Sequence, residues 1–358
     1  MASADFAGRL RLHPDGKSCS QIPKHKPLGG LLIHSIDNLS FKELVDTGQH
    51  DGIIDHYWTD DGTLLVLTKE NPTKKGGVFS ALRIFQRQEN RGMWLQIHMN
   101  EYRYLASHLV AIRDIIVVGN SSGAWVYFLS NLVENNCDGS SDPSEPVELF
   151  RCNGVHAMCA AGAYIAVVSG LDLGVWSVDD VSGSQPKTIW CTTLTIGLER
   201  ATSLVFSKST RIIALACWDG TVRVFQKQGQ RSDWNVCQVG THKSKWEVCV
   251  GSKDGRFPTF AALHEFSVGL QSKDLLAVST PGSSRVRFFD LGLGTEVVDE
   301  TCSHDCGNVD ITTARRKGVG KAVYGMLATT SSTDCAGNQI PKVLWVDETD
   351  FIHKREWP

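Results

Sequence analysis

The sequence has no apolar run near the roughly 18 residues that cross a bilayer as a helix. Its first stretch, MASADFAGRLRLHPDGK, has no apolar segment of signal-peptide length. A membrane span is therefore not expected, and the expected location is intracellular, cytoplasmic or nuclear. The formal net charge is only −3, too small to pull the chain toward nucleic acid or an anionic surface. Proline is scarce beside glycine, 11 against 33, a balance that suits many tight turns. The 11 cysteines are scattered and odd in number, and Cys159, Cys217 and Cys249 lie in apolar runs. Buried thiols in a reducing compartment are expected, not a disulfide framework. No phosphate-cradling loop is complete: Arg315–Lys321 is basic and holds glycine, but it lacks the first glycine of that motif, and Ala322 follows the lysine. No cofactor or small-molecule ligand is indicated.

What the sequence has in quantity is one pattern. IIALACWDGTVRVF, Ile212 to Phe225, is two apolar runs joined at Asp219-Gly220, a dipeptide suited to a tight hairpin. Val222-Arg223-Val224 alternates with the strand period. Similar hairpins end in Phe85, Phe128, Trp176, Phe289 and Trp345. The six closing aromatics are spaced by 43, 48, 49, 64 and 56 residues, near the roughly 40–50-residue period of a four-stranded propeller blade. The expected fold is all-β, a propeller of four-stranded blades, seven-bladed with six as the alternative. Residues 1–27 read as an extended lead-in and 28–358 as one domain, with Arg9–Leu12 available as an extra strand. Two inserts interrupt the pattern: the loop Glu70–Gly77 and the acidic, Ser/Pro-rich Glu134–Pro146.

Leu204 to Phe225 resembles a WD40 repeat: strand, polar turn, strand, Asp-Gly turn, and a strand closing on an aromatic. The family's buried polar network would place a His near Gly197, a Ser at Cys217 and a Trp at Phe225, and only Asp219 keeps its family residue. The chain is similar to a divergent member of that family. The resemblance implies a non-catalytic scaffold that binds a protein or peptide within a multiprotein complex, of the ubiquitin-ligase, trafficking, chromatin or RNA-processing kind. It also implies a binding face made of outer-to-inner connections and Asp-Gly turns. Carried over by position, that face holds Tyr102, Arg103, His156, Glu199, Arg200, Trp218, Asp219, His242 and Lys243.

Two alternatives stand beside the scaffold. One is a propeller hydrolase with a metal or carboxylate site at the channel mouth, drawing on Asp55, Asp60, Asp61, Asp172 and Asp310 or on His56, His156, His242 and His264. The densest set of metal-ligand types is Cys302, His304 and Cys306, one short of the four that zinc takes. The other is RNA or phosphoinositide binding, which needs Lys74, Lys75 and Arg315–Lys321 gathered on one face.

Overall fold

The computed structural model describes residues 10–14, 17–22, 30–35, 41–48, 50–88, 90, 92–134, 146–151, 154–170, 172–178, 188–193, 201–207, 212–217, 221–227, 234–235, 247–249, 260–268, 271–279, 283–290, 295–314, 323–333 and 339–347. These residues form antiparallel sheets in chain order. The first holds β1 (Leu10–Leu12), β2 (Ser18–Gln21), β3 (Gly30–Ser35) and β4 (Phe41–Asp46). The second holds β5 (Gly52–Trp58), β6 (Leu64–Lys69), β7 (Ser80–Gln88) and β8 (Met93–Tyr102). The third holds β9 (Ala106–Ile112), β10 (Ile115–Asn120), β11 (Gly123–Phe128) and β12 (Val147–Arg151), with the short helix α1 (Leu129–Glu134) before its last strand. The fourth holds β13 (Val155–Ala161), β14 (Tyr164–Ser169), β15 (Asp172–Ser177) and β16 (Thr188–Thr193).

The fifth sheet holds β17 (Ala201–Phe206), β18 (Ile212–Cys217), β19 (Thr221–Lys227) and β20 (Trp234–Asn235). β21 (Glu247–Cys249) also pairs with β19. The sixth sheet opens with β22 (Phe260–Val268), followed by β23 (Gln271–Ser279), β24 (Ser283–Asp290), β25 (Thr295–Ala314), β26 (Val323–Thr333) and β27 (Gln339–Asp347).

The first strands touch in succession. β1 meets β5, β5 meets β9, β9 meets β13, β13 meets β17, and β17 meets β22. β25 meets both β22 and β1, so the chain of contacts returns to its start. β25 pairs with β24 over Thr295–Cys306 and with β26 over Cys306–Ala314. One strand thus serves as the last of one hairpin set and the first of the next. The expected seventh blade is, among the described residues, continuous with the sixth sheet.

The second strands of the second to fifth sheets, β6, β10, β14 and β18, are buried on both faces, which explains why they read as apolar runs and not as alternation. On β6, Leu64 and Val66 pack toward the first sheet with Leu31, Ile33 and Phe85, while Leu65 and Leu67 pack toward the third with Leu109 and Ile116. On β14, Ile165 and Val167 face the third sheet, and Ala166 and Val168 the fifth. On β18, Ile213 and Leu215 face the fourth, and Ile212 and Ala214 the sixth. Each buried aliphatic side chain contributes about 1.5–3 kcal/mol, so the sheets are held to one another mainly by these layers. The closing aromatics join them: Phe85 pairs with Leu64, Trp176 with Ile165, and Phe225 with Ile213. Cys19, Cys159 and Cys217 are buried free thiols, and burial pushes the Cys159 thiol well up.

The first sheet corrects the sequence reading. Ser18–Gln21 lies in what reads as an extended lead-in, yet it is a fully buried strand between β1 and β3. The stretch is polar because its side chains bond to the second sheet. Ser20 Oγ accepts from Trp58 Nε1 at 2.8 Å, lies 2.7 Å from His56 Nε2, and donates to the Arg11 carbonyl at 3.3 Å.

Gly123, at the start of β11, has a steric reason to be glycine. Its φ is +155°, and a Cβ there would press on the backbone carbonyl of Phe150 across the β11–β12 pair. Gly123→Ala is expected to cost about 1–3 kcal/mol in urea unfolding. Gly52→Ala, into open space at an ordinary φ, is expected to cost nothing. Equal midpoints for the two variants would refute the steric account.

Candidate functional site

Because neighbouring strands alternate in direction, the β4–β5, β6–β7, β8–β9, β10–β11 and β12–β13 connections emerge at one end of their sheets. This is the end where the sequence placed its partner face. Its best-defined part spans the second and third sheets.

The β6–β7 loop is tethered from beneath. Glu70, whose side chain is 0 % exposed, accepts from Thr68 Oγ1 at 2.7 Å and from Arg83 Nη2 at 2.8 Å, and its other oxygen meets Lys75 Nζ at 2.9 Å. Arg83 also donates through Nε to Thr68 Oγ1 at 3.2 Å and through Nη1 to Gln96 Oε1 at 3.2 Å. Burial alone would raise the Glu70 carboxyl. The hydrogen bonds from Lys75, Arg83 and Thr68 outweigh burial and hold it below its ordinary range. Beside the network, His50 lies 2.6 Å from Thr47 Oγ1, and burial, with the Arg83 charge, lowers its pKa.

The location of this network follows from the strand register. Leu64 pairs with Phe85 as Ile213 pairs with Phe225, and Val66 pairs with Arg83 as Leu215 pairs with Arg223. Thr68 therefore matches Cys217, and Glu70 matches Asp219. A buried polar network of the kind sought around Asp219 is present at the equivalent positions of the second sheet, built from Thr, Glu and Arg. In the fifth sheet, Arg223 Nη1 donates to Cys217 Sγ at 3.6 Å, and Phe225 packs in an apolar cluster.

Above the tether the loop is closed by its own backbone. Asn71 O accepts from the backbone N–H of Lys74 and Lys75, Asn71 Oδ1 accepts from Thr73, and Gly76 and Gly77 take positive φ. The insert expected as a loop is one, and it is held by its own hydrogen bonds. Phe79 ends it, with its carbonyl accepting from Glu70 N at 2.9 Å and its N–H donating to Tyr102 O at 2.9 Å. Ser80 Oγ donates to Tyr104 O at 2.7 Å and accepts from Ala106 N at 3.1 Å. One node therefore holds both connections, and around it Phe79 and Leu105 stand 43 % and 50 % exposed.

Of the predicted partner-face residues, Tyr102, Arg103 and His156 are described. Arg103 is exposed and His156 half-buried. Tyr102 is corrected: it is 3 % exposed, packed between the second and third sheets. Its ring stacks on Tyr104 at 5.1 Å, which stacks in turn on Trp125 at 5.5 Å. Burial raises the Tyr102, Tyr104 and Tyr127 phenols, and the Tyr104 and Tyr127 hydroxyls bond at 3.0 Å. Tyr102 thus supports the face from below. Glu199, Arg200, Trp218, Asp219, His242 and Lys243 lie outside the described residues. Phe79 and Leu105 were missed because a lone apolar residue beside a turn carries no period.

Asp55, His56 and Asp61, three of the residues proposed for hydrolysis, are engaged in structural bonds. Asp55, 1 % exposed, accepts from His56 N at 2.9 Å and Leu109 N at 3.3 Å and pairs with Arg11 at 3.5 Å, joining β1, β5 and β9. His56 and Ser20 are 0 % exposed and sit between sheets. Asp61 accepts from Thr59 and Thr63 in the β5–β6 turn, and Asp172 is exposed at the start of β15. Gly119–Gly123 has the Gly-x-Ser-x-Gly spacing of a nucleophile elbow, but it is a hairpin turn closed by Asn120 Oδ1 onto Ser122 N and Gly123 N. Among the described residues no group of three or more His, Cys, Asp or Glu could hold a metal. Cys302, His304 and Cys306 lie on β25, with side chains outside that description, and Arg315–Lys321 falls outside it altogether. No described helix is long and apolar enough to cross a membrane.

No protein-family model matches the chain, and no curated protein matches it. Solved structures do. The β-propeller domain of Cps50 (Swd1) from Myceliophteria thermophila superposes with a TM-score of 0.60 at 11% identity, covering 95% of this chain and 96% of that one. U3-55K superposes with a TM-score of 0.61 at 12% identity, covering 92% and 90%. With the succession of antiparallel sheets and the returning ring of first strands, this shows that the chain folds as a β-propeller, the fold its WD40-like repeat implies.

Proposed function

We propose that this propeller is a non-catalytic interaction scaffold that holds a partner protein or peptide on its connection face within a multiprotein complex. The observation that carries this reading is the node at Ser80. It fixes two exposed apolar side chains, Phe79 and Leu105, next to exposed Arg103 on a tethered, pre-shaped surface. Aromatic and arginine anchors on a rigid support are the composition of interface hot spots. The buried Asp and His of the first strands support the same reading, being committed to backbone and inter-sheet bonds. The face extends over Arg103, His156, Glu199, Arg200, Trp218, Asp219, His242 and Lys243. The free buried thiols fit a reducing compartment, in cytoplasm or nucleus.

The test is affinity purification of the tagged chain from its native cell beside the Arg200→Ala/Trp218→Ala variant. A stoichiometric partner is expected, and the folded variant should lose it. A well-folded wild-type chain that recovers no stoichiometric partner would sink the scaffold reading.

A further inference from the structure

Six large apolar side chains are exposed among the described residues: Leu44, Phe79, Met93, Leu95, Met99 and Leu105. Three lie on β8, the edge strand of the second sheet, and edges of this kind invite strand addition. β8 is guarded, however. Its register shifts between the partners of Ile84 and Phe85, so Ile97 is an extra residue. Leu95 then faces the side of Ile84, while Met99, paired with Arg83, faces the other. No continuous apolar stripe is offered there. Phe79 and Leu105 differ: both flank the Ser80 node, and no strand runs past them.

The charges around this pair are one-sided. Lys74 and Arg103 are exposed, and neither has a carboxylate partner among the described residues. The loop's own acid, Glu70, is consumed in the interior by Arg83 and Lys75. The one exposed acid beside the node, Glu101, already lies 4.0 Å from Lys75. The patch is thus apolar at its centre and positive at its margin, with the half-buried Tyr104 beneath it stacked on Trp125. Its backbone is already ordered, so little conformational entropy is lost when a ligand settles on it.

We propose that the Phe79–Leu105 patch docks a partner-protein segment carrying one large apolar side chain flanked by aspartate or glutamate. The apolar side chain sits between Phe79 and Leu105, and the acids meet Arg103 and Lys74. This rests on the scaffold reading and adds to it the class of ligand and the place where it binds.

The test is a random peptide library displayed on phage and panned against the full chain, with the selected sequence synthesised and titrated by fluorescence anisotropy. The expected consensus holds one Leu, Phe, Met or Trp within about three positions of Asp or Glu. Phe79→Asp and Leu105→Asp are each expected to weaken binding about tenfold or more, and the milder Phe79→Ser also several-fold. Arg103→Glu is expected to weaken it about three- to tenfold, with recovery when the peptide's acids are changed to Lys. Leu95→Asp on the rim should change nothing. A basic or acid-free consensus, an empty selection, or binding indifferent to Phe79→Asp would overturn the proposal. Native partners that survive Phe79→Asp but are lost with Arg200→Ala/Trp218→Ala would overturn this patch and leave the scaffold standing. The absence of any native partner would remove both.

Discussion

Glu70→Ala is expected to lower the unfolding free energy by about 3–5 kcal/mol, the cost of breaking a buried ion pair from one side. The substitution leaves Arg83, 6 % exposed at its side chain, with no carboxylate and with Thr68 and Gln96 as its remaining partners. It also frees Lys75 from its 2.9 Å contact, so the β6–β7 loop loses its tether. Glu70→Leu/Arg83→Met removes both charges and is expected to recover most of the loss, since well-packed apolar replacements of buried ion pairs are often neutral. Urea midpoints of the three proteins decide the matter. If the double variant is no more stable than Glu70→Ala, desolvated charge is not the cause.

The same network sets a pH dependence. The Glu70 carboxyl is held below its unfolded value, so its contribution is complete above the ordinary carboxylate range. It is lost as pH falls through the lowered folded value. Wild type should therefore lose stability more steeply than Glu70→Gln as pH drops below about 4.5. Parallel acid profiles would mean that Glu70 titrates alike in the folded and unfolded chain.

The sequence showed the fold where the physics is repetitive. Second strands packed between two apolar layers, as β6, β10, β14 and β18 are, carry apolar runs, and the third strands beside them close on a large side chain. That leaves a recurring record in Leu64–Phe85, Ile115–Phe128, Tyr164–Val178 and Ile212–Phe225. Ser18–Gln21 left no such record. It is buried by hydrogen bonds to His56 and Trp58, some 36 and 38 residues away, and a polar strand satisfied by distant partners looks like a polar loop. The insert ENPTKKGG was legible as a loop, but only the register of Thr68 and Arg83 shows that its glutamate points inward. The partner face was located by end and not by residue. Tyr102 stands next to Arg103 in sequence, but strand alternation turns one inward and the other out.

Removing residues 1–21, most of the stretch that reads as an extended lead-in, is expected to cost about 5 kcal/mol or more. Cutting there takes Ser20 from between His56 and Trp58, and a buried donor left without its acceptor costs about 1–3 kcal/mol. It takes Arg11 from its ion pair with Asp55. It also removes buried Cys19 and opens the edge of β3 to water, which rehydrates some of these groups and keeps the cost below their plain sum. The larger consequence concerns the ring. β1 is the strand through which β25 returns to the first sheet, so the truncated chain has two loose ends where the intact one has a seam. Unfolding should then lose cooperativity as well as midpoint, the first and last sheets melting ahead of the middle ones. Ser20→Ala separates the two effects: it removes the hydroxyl that bonds Trp58 Nε1 and His56 Nε2, at about 2–4 kcal/mol, while leaving β1 in place, and its transition should stay single. A truncated chain that melts at the temperature of the full one would return residues 1–21 to the role of a lead-in. A single sharp transition at a lowered midpoint would keep the local bonds and remove the seam.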